Sequence, residues 1–307
     1  MRAARVRAQA KINLFLYVTG REASGYHHIE TLFCRIALAD VVTVRLTGSA
    51  RALDCRGPAL PPDGLGPVDD NLAWRAALAY SSASGWPPGF AIELEKHIPA
   101  RAGLGGGSAD AGAVLRVLNL LNPRPLAPTA LLELARPLGA DVAFLTQDRA
   151  AMVRASGRGD QWRALPALPA RTALVAVPTV GVSTRDAYAW LDEARGWTDR
   201  DVPATASASE LPRDPSWNDV RRVAHNDLEE VVFARCPAVE ETWRYVNDIA
   251  SRTDPAAFSR MSGSGGGVFA ILSAGLAARE AATPPGSDVR VFASTTATRV
   301  EPVEPID

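Results

Sequence analysis

Apolar and polar side chains alternate strictly along residues 5–18. The even-numbered positions from Val6 to Leu16 are apolar, whereas Lys11 and Asn13 stand on the opposite side. A period of two residues is typical of a half-buried β-strand. We therefore predict a strand here, with Lys11 and Asn13 next to each other and directed away from the apolar core.

Similar patterns predict further elements. Short apolar or alternating runs predict strands over residues 42–46, 90–95, 173–177, 268–272 and 289–293. Helical spacing of apolar residues predicts helices over residues 109–121, 129–136 and 239–250, with another beginning near Ser183. The polar, proline-containing stretch 199–219 is predicted to be an exposed loop. Strands and helices mixed in both halves predict an α+β protein.

The length of the chain favours two domains. A chain of 307 residues exceeds what one hydrophobic core usually serves. We place the boundary near residue 160, which gives an N-terminal domain over residues 1–160, a C-terminal domain over 161–300 and a tail over 301–307. The sequence leaves the choice between monomer and homodimer open.

Composition and charge exclude several classes. The formal net charge is -1, so the basic surface of a nucleic-acid binder is not expected. The apolar runs are too short to span a bilayer, so no membrane association is expected. Cys34, Cys55 and Cys236 are odd in number and widely spaced, which predicts reduced thiols in a cytoplasmic protein. The four histidines form no i, i+4 pair that would indicate zinc.

A glycine-rich segment, Gly103 to Ser108, lies between a predicted strand and a predicted helix. Backbone N–H groups and the helix dipole favour an anion at such a place, and glycine lets a phosphate approach closely. The segment matches neither a Walker loop nor a Rossmann loop. A flexible turn is the alternative, but the pattern favours nucleotide phosphates. A second cluster, Gly263 to Gly267, suggests a ligand held between the two halves.

These segments resemble those of the GHMP kinases. The resemblance is carried by residues 99–109 and by Met261-Ser262-Gly263-Ser264-Gly265. Further segments are similar to the branch of that family that phosphorylates 4-diphosphocytidyl-2-C-methyl-D-erythritol: residues 10–16, 19–21, 25–27, 139–142 and 225–229. The match runs in order from about residue 8 to 272. Two positions depart from the family pattern. Ala143 stands where the family usually has proline, and Gly266-Gly267 stand where it usually has alanine or a similar small residue. These changes put only local geometry in doubt.

The resemblance implies a two-domain fold, with an N-terminal half like domain 2 of ribosomal protein S5 and a ferredoxin-like C-terminal half. The ligands are then expected in the cleft between the domains. It further implies ATP-dependent phosphorylation of the C2 hydroxyl of 4-diphosphocytidyl-2-C-methyl-D-erythritol, in the non-mevalonate route to isoprenoid precursors. Mg²⁺ is expected to bridge the phosphates, with Ser108 as a plausible contact and no ligand set assigned.

The resemblance also assigns site residues. Asp141 is the expected base for the substrate hydroxyl and Lys11 its neighbour. The expected substrate contacts are Asn13, Tyr26, His27 and Tyr188. For Tyr188 a place in the core is an equally good interpretation. The expected ATP contacts are Asn71, Lys96, Pro99, Ala100, Arg101, Ala102, Gly103, Leu104, Gly105, Gly106, Gly107, Ser108 and Ala109.

Two other functions stay open. One is a GHMP kinase acting on homoserine, mevalonate or a sugar, against which Gly25-Tyr26-His27 argues. The other is a binding module that senses nucleotide and ligand without turnover, against which the presence of both Lys11 and Asp141 argues.

Overall fold

A computed structural model describes residues 2–197, 202–204, 210–273 and 288–306 of the chain. Its strands are β1 (Ala3–Arg21), β2 (His27–Thr47), β3 (Arg51–Arg56), β4 (Gly89–Glu95), β5 (Met152–Ser156), β6 (Gln161–Ala164), β7 (Thr172–Pro178), β8 (Phe258–Met261), β9 (Val268–Leu272), β10 (Val289–Thr295) and β11 (Glu304–Ile306). Its α-helices are α1 (Leu72–Ser84), α2 (Gly106–Leu121), α3 (Pro128–Ala135), α4 (Ala140–Thr146), α5 (Thr184–Arg195), α6 (Trp217–Val223), α7 (Glu229–Arg235) and α8 (Pro237–Thr253).

The strands form two sheets. The first has the order β11-β1-β2-β4-β3, in which β4 pairs with residues 41–47 of β2. Strand β5 pairs with residues 31–34 of β2 and with β6. The second has the order β10-β7-β9-β8 and is antiparallel throughout. Both sheets carry helices, in agreement with the α+β prediction.

One apolar core extends from the first sheet to the second. Ala173, Val175 and Val177 of β7 belong to the same buried cluster as the apolar residues of β1 and α2. Leu174 and Ala176, which alternate with them, pack instead in a second cluster with α5 and α8. Both faces of β7 are therefore buried, and the two halves of the chain meet through apolar packing.

The predicted strand at the N-terminus is present, but its polar face is exposed only at Arg5 and Arg7 and is buried from Gln9 to Asn13. Lys11 is only 4% exposed and Asn13 only 2% exposed. The prediction of a half-buried strand therefore holds for Arg5 to Arg7 and is wrong for residues 9–16, where both faces of β1 are covered. The face that bears Lys11 lies against the glycine segments, and the register with β2 shifts on either side of this region.

The ends of the chain differ from the predicted division. The first sheet continues to Ala164 through β6, beyond the expected boundary at 160. The predicted tail is wrong, because Glu304–Ile306 pair as β11 with Ala3, Ala4 and Arg5 of β1. Pairing at the sheet edge gives hydrogen-bond partners to backbone N–H and C=O groups of both segments. A run of three residues is too short to show an alternating pattern that would predict this strand.

Several short elements escaped the sequence patterns, among them β3, β6 and α6. The last lies partly within the predicted loop 199–219, of which residues 199–201 and 205–209 are outside the described residues. Ser216 and Asp219 form a capping box that starts α6. Of the helices that the structure describes, none combines the length and apolar character needed to cross a membrane.

Candidate active site

The first glycine segment forms a tight loop that ends in the first turn of α2. Gly105 is the N-cap residue of α2 and has φ 69°, and Gly103 has φ 71°. Both angles lie in the left-handed region that glycine adopts without steric cost. Gly106, Gly107 and Ser108 form the first turn of the helix, whose backbone N–H groups have no intrahelical acceptor. The loop is thus built to bind an anion such as a phosphate.

The two glycine segments are in direct contact. The Ser262 hydroxyl donates to the Gly103 carbonyl at 2.9 Å, and the Gly267 N–H donates to the Ala102 carbonyl at 3.1 Å. A Cβ atom on Gly265 would collide with the backbone nitrogen of Gly103. The second cluster is therefore glycine-rich because two backbones approach each other there. It joins the two halves of the molecule at the first glycine segment, Gly103 to Ser108, here called the phosphate loop for its predicted role.

Lys11 and Asp141 meet beside this junction. Lys11 Nζ lies 3.3 Å from Asp141 Oδ2 and donates to Asn13 Oδ1 at 2.7 Å. The Asn13 amide in turn donates to the Thr31 hydroxyl at 2.7 Å. Asp141 stands in the first turn of α4, after the N-cap Gly139, and its side chain is 32% exposed. A partly exposed carboxylate next to a buried, oriented ammonium can accept a proton from a substrate hydroxyl.

The segment from His225 to Glu229 fixes the second glycine cluster to β1. The Asn226 amide donates to the carbonyls of Met261 and Gly263 at 2.9 and 2.8 Å. The Asp227 carboxylate accepts from the Val18 N–H at 2.6 Å and pairs with Arg195 at 2.8 Å. Burial alone would raise the pKa of Asp227, but its hydrogen bonds from His225, Val18 and Arg195 outweigh burial and lower it. This segment supports the site without lining it.

A cavity of about 790 Å³ lies next to Asp141 and contains three of the predicted substrate residues. Its lining includes Tyr26, His27, Tyr188 and three arginines, namely Arg136, Arg158 and Arg185. His27 stacks on Tyr188 with ring centroids 4.6 Å apart, and its Nε2 lies 2.7 Å from Asp192 Oδ1. Burial, with the carboxylates of Asp141 and Asp227, raises the pKa of Tyr188 well above its usual value, so its hydroxyl stays neutral.

Tyr26 is 58% exposed at the mouth of this cavity. The Arg158 guanidinium lies 4.2 Å from the centre of the Tyr26 ring and is held by Glu22 through a 2.7 Å hydrogen bond. Because Tyr26 is mostly exposed, its ring is available to stack on a planar group.

Two predicted ATP contacts have structural partners in the protein. The Lys96 ammonium is buried between the carboxylates of Asp40 and Asp110, so direct contact with adenine is not supported by its geometry. Burial raises the pKa of Asp110 to about 7, although the nearby Lys96 acts in the opposite direction. Asn71 caps α1, where its Oδ1 accepts from the N–H groups of Ala73 and Trp74. Its contact with ATP stays a prediction.

Sequence reasoning missed several residues of the site. Asp40, Asp110, Thr31 and Asp192 are buried polar groups whose partners come from distant segments, and no local pattern marks them. Arg101 has φ 56° and is the one non-glycine residue with positive φ in the part of the chain that the structure describes. Its place within the phosphate loop was predicted, but its conformation was not.

Comparisons with known proteins agree with this geometry. The family of GHMP kinases N terminal domains matches residues 71–149. The 4-diphosphocytidyl-2-C-methyl-D-erythritol kinase of Desulfotalea psychrophila is 38% identical over 275 residues, which cover 87% of this chain and 85% of that protein. The protein of the same name from Salinibacter ruber is 38% identical over 283 residues, covering 89% and 92%.

Solved structures give the same result. A crystal structure of 4-(cytidine 5'-diphospho)-2C-methyl-D-erythritol kinase superposes with a TM-score of 0.71 at 32% identity, over 95% of this chain and 98% of that one. A homoserine kinase from Cytophaga hutchinsonii has a TM-score of 0.64 at 20% identity, over 99% and 98% of the two chains, and shows the shared fold alone. The predicted GHMP kinase fold is confirmed. This chain belongs to the 4-diphosphocytidyl-2-C-methyl-D-erythritol kinase family, within the GHMP kinases.

Proposed function

We propose that this protein transfers the γ-phosphoryl group of ATP to the C2 hydroxyl of 4-diphosphocytidyl-2-C-methyl-D-erythritol. The products are the 2-phosphate and ADP, in the cytoplasmic synthesis of isoprenoid precursors. The observation that carries the proposal is the Lys11–Asp141 pair, 3.3 Å apart, between the phosphate loop and the 790 Å³ cavity. The named relatives at up to 38% identity support the choice of substrate.

The ATP phosphates would bind at the first turn of α2. The N–H groups of Gly106, Gly107 and Ser108 provide hydrogen-bond donors there, and the helix dipole adds a favourable field. Asn71 lies near this turn, since its neighbour Leu72 has its Cδ1 3.8 Å from a Cβ built on Gly107. The amide nitrogen of Asn71 can therefore reach a nucleotide on this side of the loop.

The residues present fit a magnesium ion that arrives with ATP. Ser108 is partly exposed in the first turn of α2, and its hydroxyl has no hydrogen-bond partner among the described residues. The described residues contain no cluster of three or more ligand side chains for a metal. Mg²⁺ commonly takes phosphates, waters and one or two protein oxygens, which the Ser108 hydroxyl and the Asp141 carboxylate can provide. When bound, Mg²⁺ neutralises charge on the phosphates.

Asp141 would accept the proton of the C2 hydroxyl as that oxygen attacks the γ-phosphorus. Phosphoryl transfer depends mainly on positioning and on charge neutralisation. Lys11 supplies the charge, because its ammonium is fixed by Asn13 and lies beside both Asp141 and the second glycine cluster. Asn13 thus acts on Lys11 in addition to its predicted contact with the substrate.

The cytidine end of the substrate would enter the cavity. Tyr26 offers an exposed ring for stacking, and His27, held by Asp192, can hydrogen-bond the base edge. Tyr188 stacks on His27 and lines the same cavity. The guanidinium groups of Arg136, Arg158 and Arg185 around the same cavity suit a diphosphate.

An ADP-release assay tests the function. Purified protein with ATP and Mg²⁺ is expected to release ADP only when 4-diphosphocytidyl-2-C-methyl-D-erythritol is added. The parallel reactions contain homoserine, mevalonate or galactose. Faster turnover of one of these alcohols would indicate another GHMP activity, and ligand binding without ADP release would indicate a sensor.

A Tyr26→Ala variant tests the cytidine assignment. Loss of aromatic–base stacking is worth about 1–3 kcal/mol, so the KM for the substrate should rise about 5- to 150-fold. The KM for ATP should change less than about threefold, because Tyr26 lies away from the phosphate loop. An equal rise in both constants would show that Tyr26 serves the fold and not the base.

A further inference from the structure

Arg35 is a buried arginine that lies outside the predicted site. It is only 2% exposed, and it stands on β2 directly opposite Lys11 of β1 in the register of the sheet. Among the described residues it has no carboxylate within ion-pair distance, although the charges of Asp148 and Arg116 act on it from farther away, and its Nε has no hydrogen-bond partner. A buried cation without a counter-ion is costly, so its contacts call for a reason.

Arg35 makes its hydrogen bonds to the C-terminal end of α4. One nitrogen, Nη2, donates to the Phe144 carbonyl at 3.0 Å and to the Gln147 carbonyl at 2.9 Å. These carbonyls lie at a helix end where acceptors are left over and where the dipole favours a positive charge. The other end of α4 carries Asp141. Arg35 therefore holds the helix that bears the proposed base.

A second connection runs from Arg35 back to Lys11 through two aromatic rings. The guanidinium carbon lies 5.0 Å from the centre of the Phe144 ring, which stacks on the Phe33 ring at 5.1 Å and 12°. Lys11 Nζ lies 5.5 Å from the centre of the Phe33 ring on β2. Both cations thus contact one pair of stacked rings, one within the site and one behind it.

These contacts close a ring of interactions around α4. Its N-terminal turn meets Lys11 through Asp141, and its C-terminal turn meets Arg35, while Phe144 and Phe33 fill the space between the two cations. We propose that Arg35 is a positioning residue that fixes α4 so that Asp141 stands 3.3 Å from Lys11. This inference rests on the proposed function, since it assigns Arg35 a role in the same phosphoryl transfer.

The test replaces Arg35 with methionine, which keeps length and apolar packing but removes the hydrogen bonds to α4. We expect kcat to fall about 10- to 100-fold, because a misplacement near 1 Å can cost 10²-fold. The KM values for ATP and substrate should stay within about threefold, since Arg35 touches neither ligand. Arg35→Lys restores a donor and a charge, and it should recover most of kcat.

Arg116→Met is the matched control. Arg116 is a partly buried arginine on α2 that also donates to a backbone carbonyl, that of Glu301 at 2.5 Å, and not to a carbonyl of α4. All assays are run well below the unfolding temperatures of the variants. Arg116→Met should lose thermal stability while its kcat stays within about twofold of the wild type. If both methionine variants lose kcat equally, Arg35 is a structural residue only and the proposal is overturned.

A double-mutant cycle with Asp141→Asn separates positioning from general damage. If Arg35 acts through Asp141, Arg35→Met should lower kcat less than about threefold in the Asp141→Asn background. A full 10- to 100-fold loss in that background would overturn the proposal. If Arg35→Met does not fold, the same cycle is run with Arg35→Gln, which keeps a polar side chain but removes the charge and the reach to both carbonyls. A wild-type protein that releases no ADP with the substrate would instead refute the proposed function. An active wild-type enzyme whose kcat is unchanged in Arg35→Met would refute this inference alone.

Discussion

Lys11 illustrates how one side chain combines several roles in this site. Its ammonium contacts Asp141, Asn13 and the Phe33 ring, and its backbone N–H donates to the Leu104 carbonyl of the phosphate loop at 2.9 Å. A lysine that is almost fully buried loses rotamer freedom, so its charge is fixed before a ligand binds. Such preorganised charge stabilises a transition state without further rearrangement.

Replacing Asp141 with asparagine should lower kcat about 10²- to 10⁴-fold, the usual cost of removing a general base. The KM values should move little, because the lost proton transfer acts in the transition state. Steady-state ADP release measures both constants. The Lys11→Ala/Asp141→Asn double variant should be little worse than either single variant, since the two side chains act as a pair. An Asp141→Asn enzyme with near-normal kcat would exclude Asp141 as the base.

Asp110 should make stability depend on pH. Burial raises its pKa from 3.8 to about 7 in the folded state, so ionisation is disfavoured there relative to the unfolded chain. Stability from this group is full below about pH 4 and is lost as the pH rises to about 7. The raised pKa of Lys96 reflects its carboxylate neighbours, which outweigh burial, and it adds no pH dependence in this range.

Urea unfolding at pH 5, 6, 7 and 8 tests this expectation. Asp110→Asn should flatten the loss of unfolding free energy across that range, whereas Asp63→Asn, at an exposed position, should keep the wild-type slope. An unchanged slope in Asp110→Asn would assign the pH dependence to other groups.

Helix α2 shows how an element serves both fold and site. Its first turn supplies the N–H groups that we propose bind the phosphates, and its body packs on β1 and α4. A Cβ at Gly112 would lie 2.7 Å from the backbone of Leu145, so glycine is required there for α4 to approach. Glycine is therefore needed at the start of the helix for the conformation of the loop, and in its middle for close packing against α4.

Gly107→Ala separates ligand approach from folding. A Cβ there has only Leu72 Cδ1 within 4 Å, at 3.8 Å, so the fold can accept it, and alanine should stabilise the helix by up to about 1 kcal/mol. The KM for ATP should nevertheless rise about tenfold or more, because the methyl group occupies the surface that phosphates approach. Gly106 is less suitable, since a Cβ there would lie 3.0 Å from Ile98 Cγ2. Unchanged ATP kinetics in Gly107→Ala would place the phosphates elsewhere.

At the scale of the molecule, the two halves are joined where the chemistry is proposed to occur. The phosphate loop contacts the second glycine cluster directly, and Asn226 ties that cluster to the His225–Glu229 segment, which pairs with β1. Movement of one half relative to the other would therefore separate Lys11 and the phosphate loop from the second glycine cluster. The contact between the loops is expected to govern activity more than stability.

Gly265→Ala should disturb this junction. Its Cβ would meet the backbone of Gly103, so the loops must separate, and kcat/KM should fall at least about tenfold. Gly48→Ala is the control, because nothing lies within 4 Å of its Cβ and it is not among the glycines with positive φ. ADP-release kinetics and thermal unfolding are measured for both. Normal kcat/KM in Gly265→Ala would show that the loops need not touch for catalysis.

The phosphate loop, the strand bearing Lys11 and the helix after the loop could all be predicted from local patterns. Each depends on neighbouring residues: glycines that permit positive φ, alternation in β1, and apolar spacing in α2. Resemblance of ordered motifs added the family, and the comparisons confirmed it. The approach of Lys11 to Asp141 was implied by that resemblance, and spacing alone could not have supplied it.

Tertiary structure decided the rest, because it depends on contacts between residues far apart in the chain. Lys11 and Asn13 of β1 are buried because two distant glycine segments fold over them, and β11 forms because β1 offers a free edge. Lys96 was predicted to contact ATP, but in the folded chain it pairs with Asp40 and Asp110, which come from other elements. Arg35 has no local signal at all. Sequence thus determined which chemistry is present, and packing determined which charged groups face the ligands and which hold the fold.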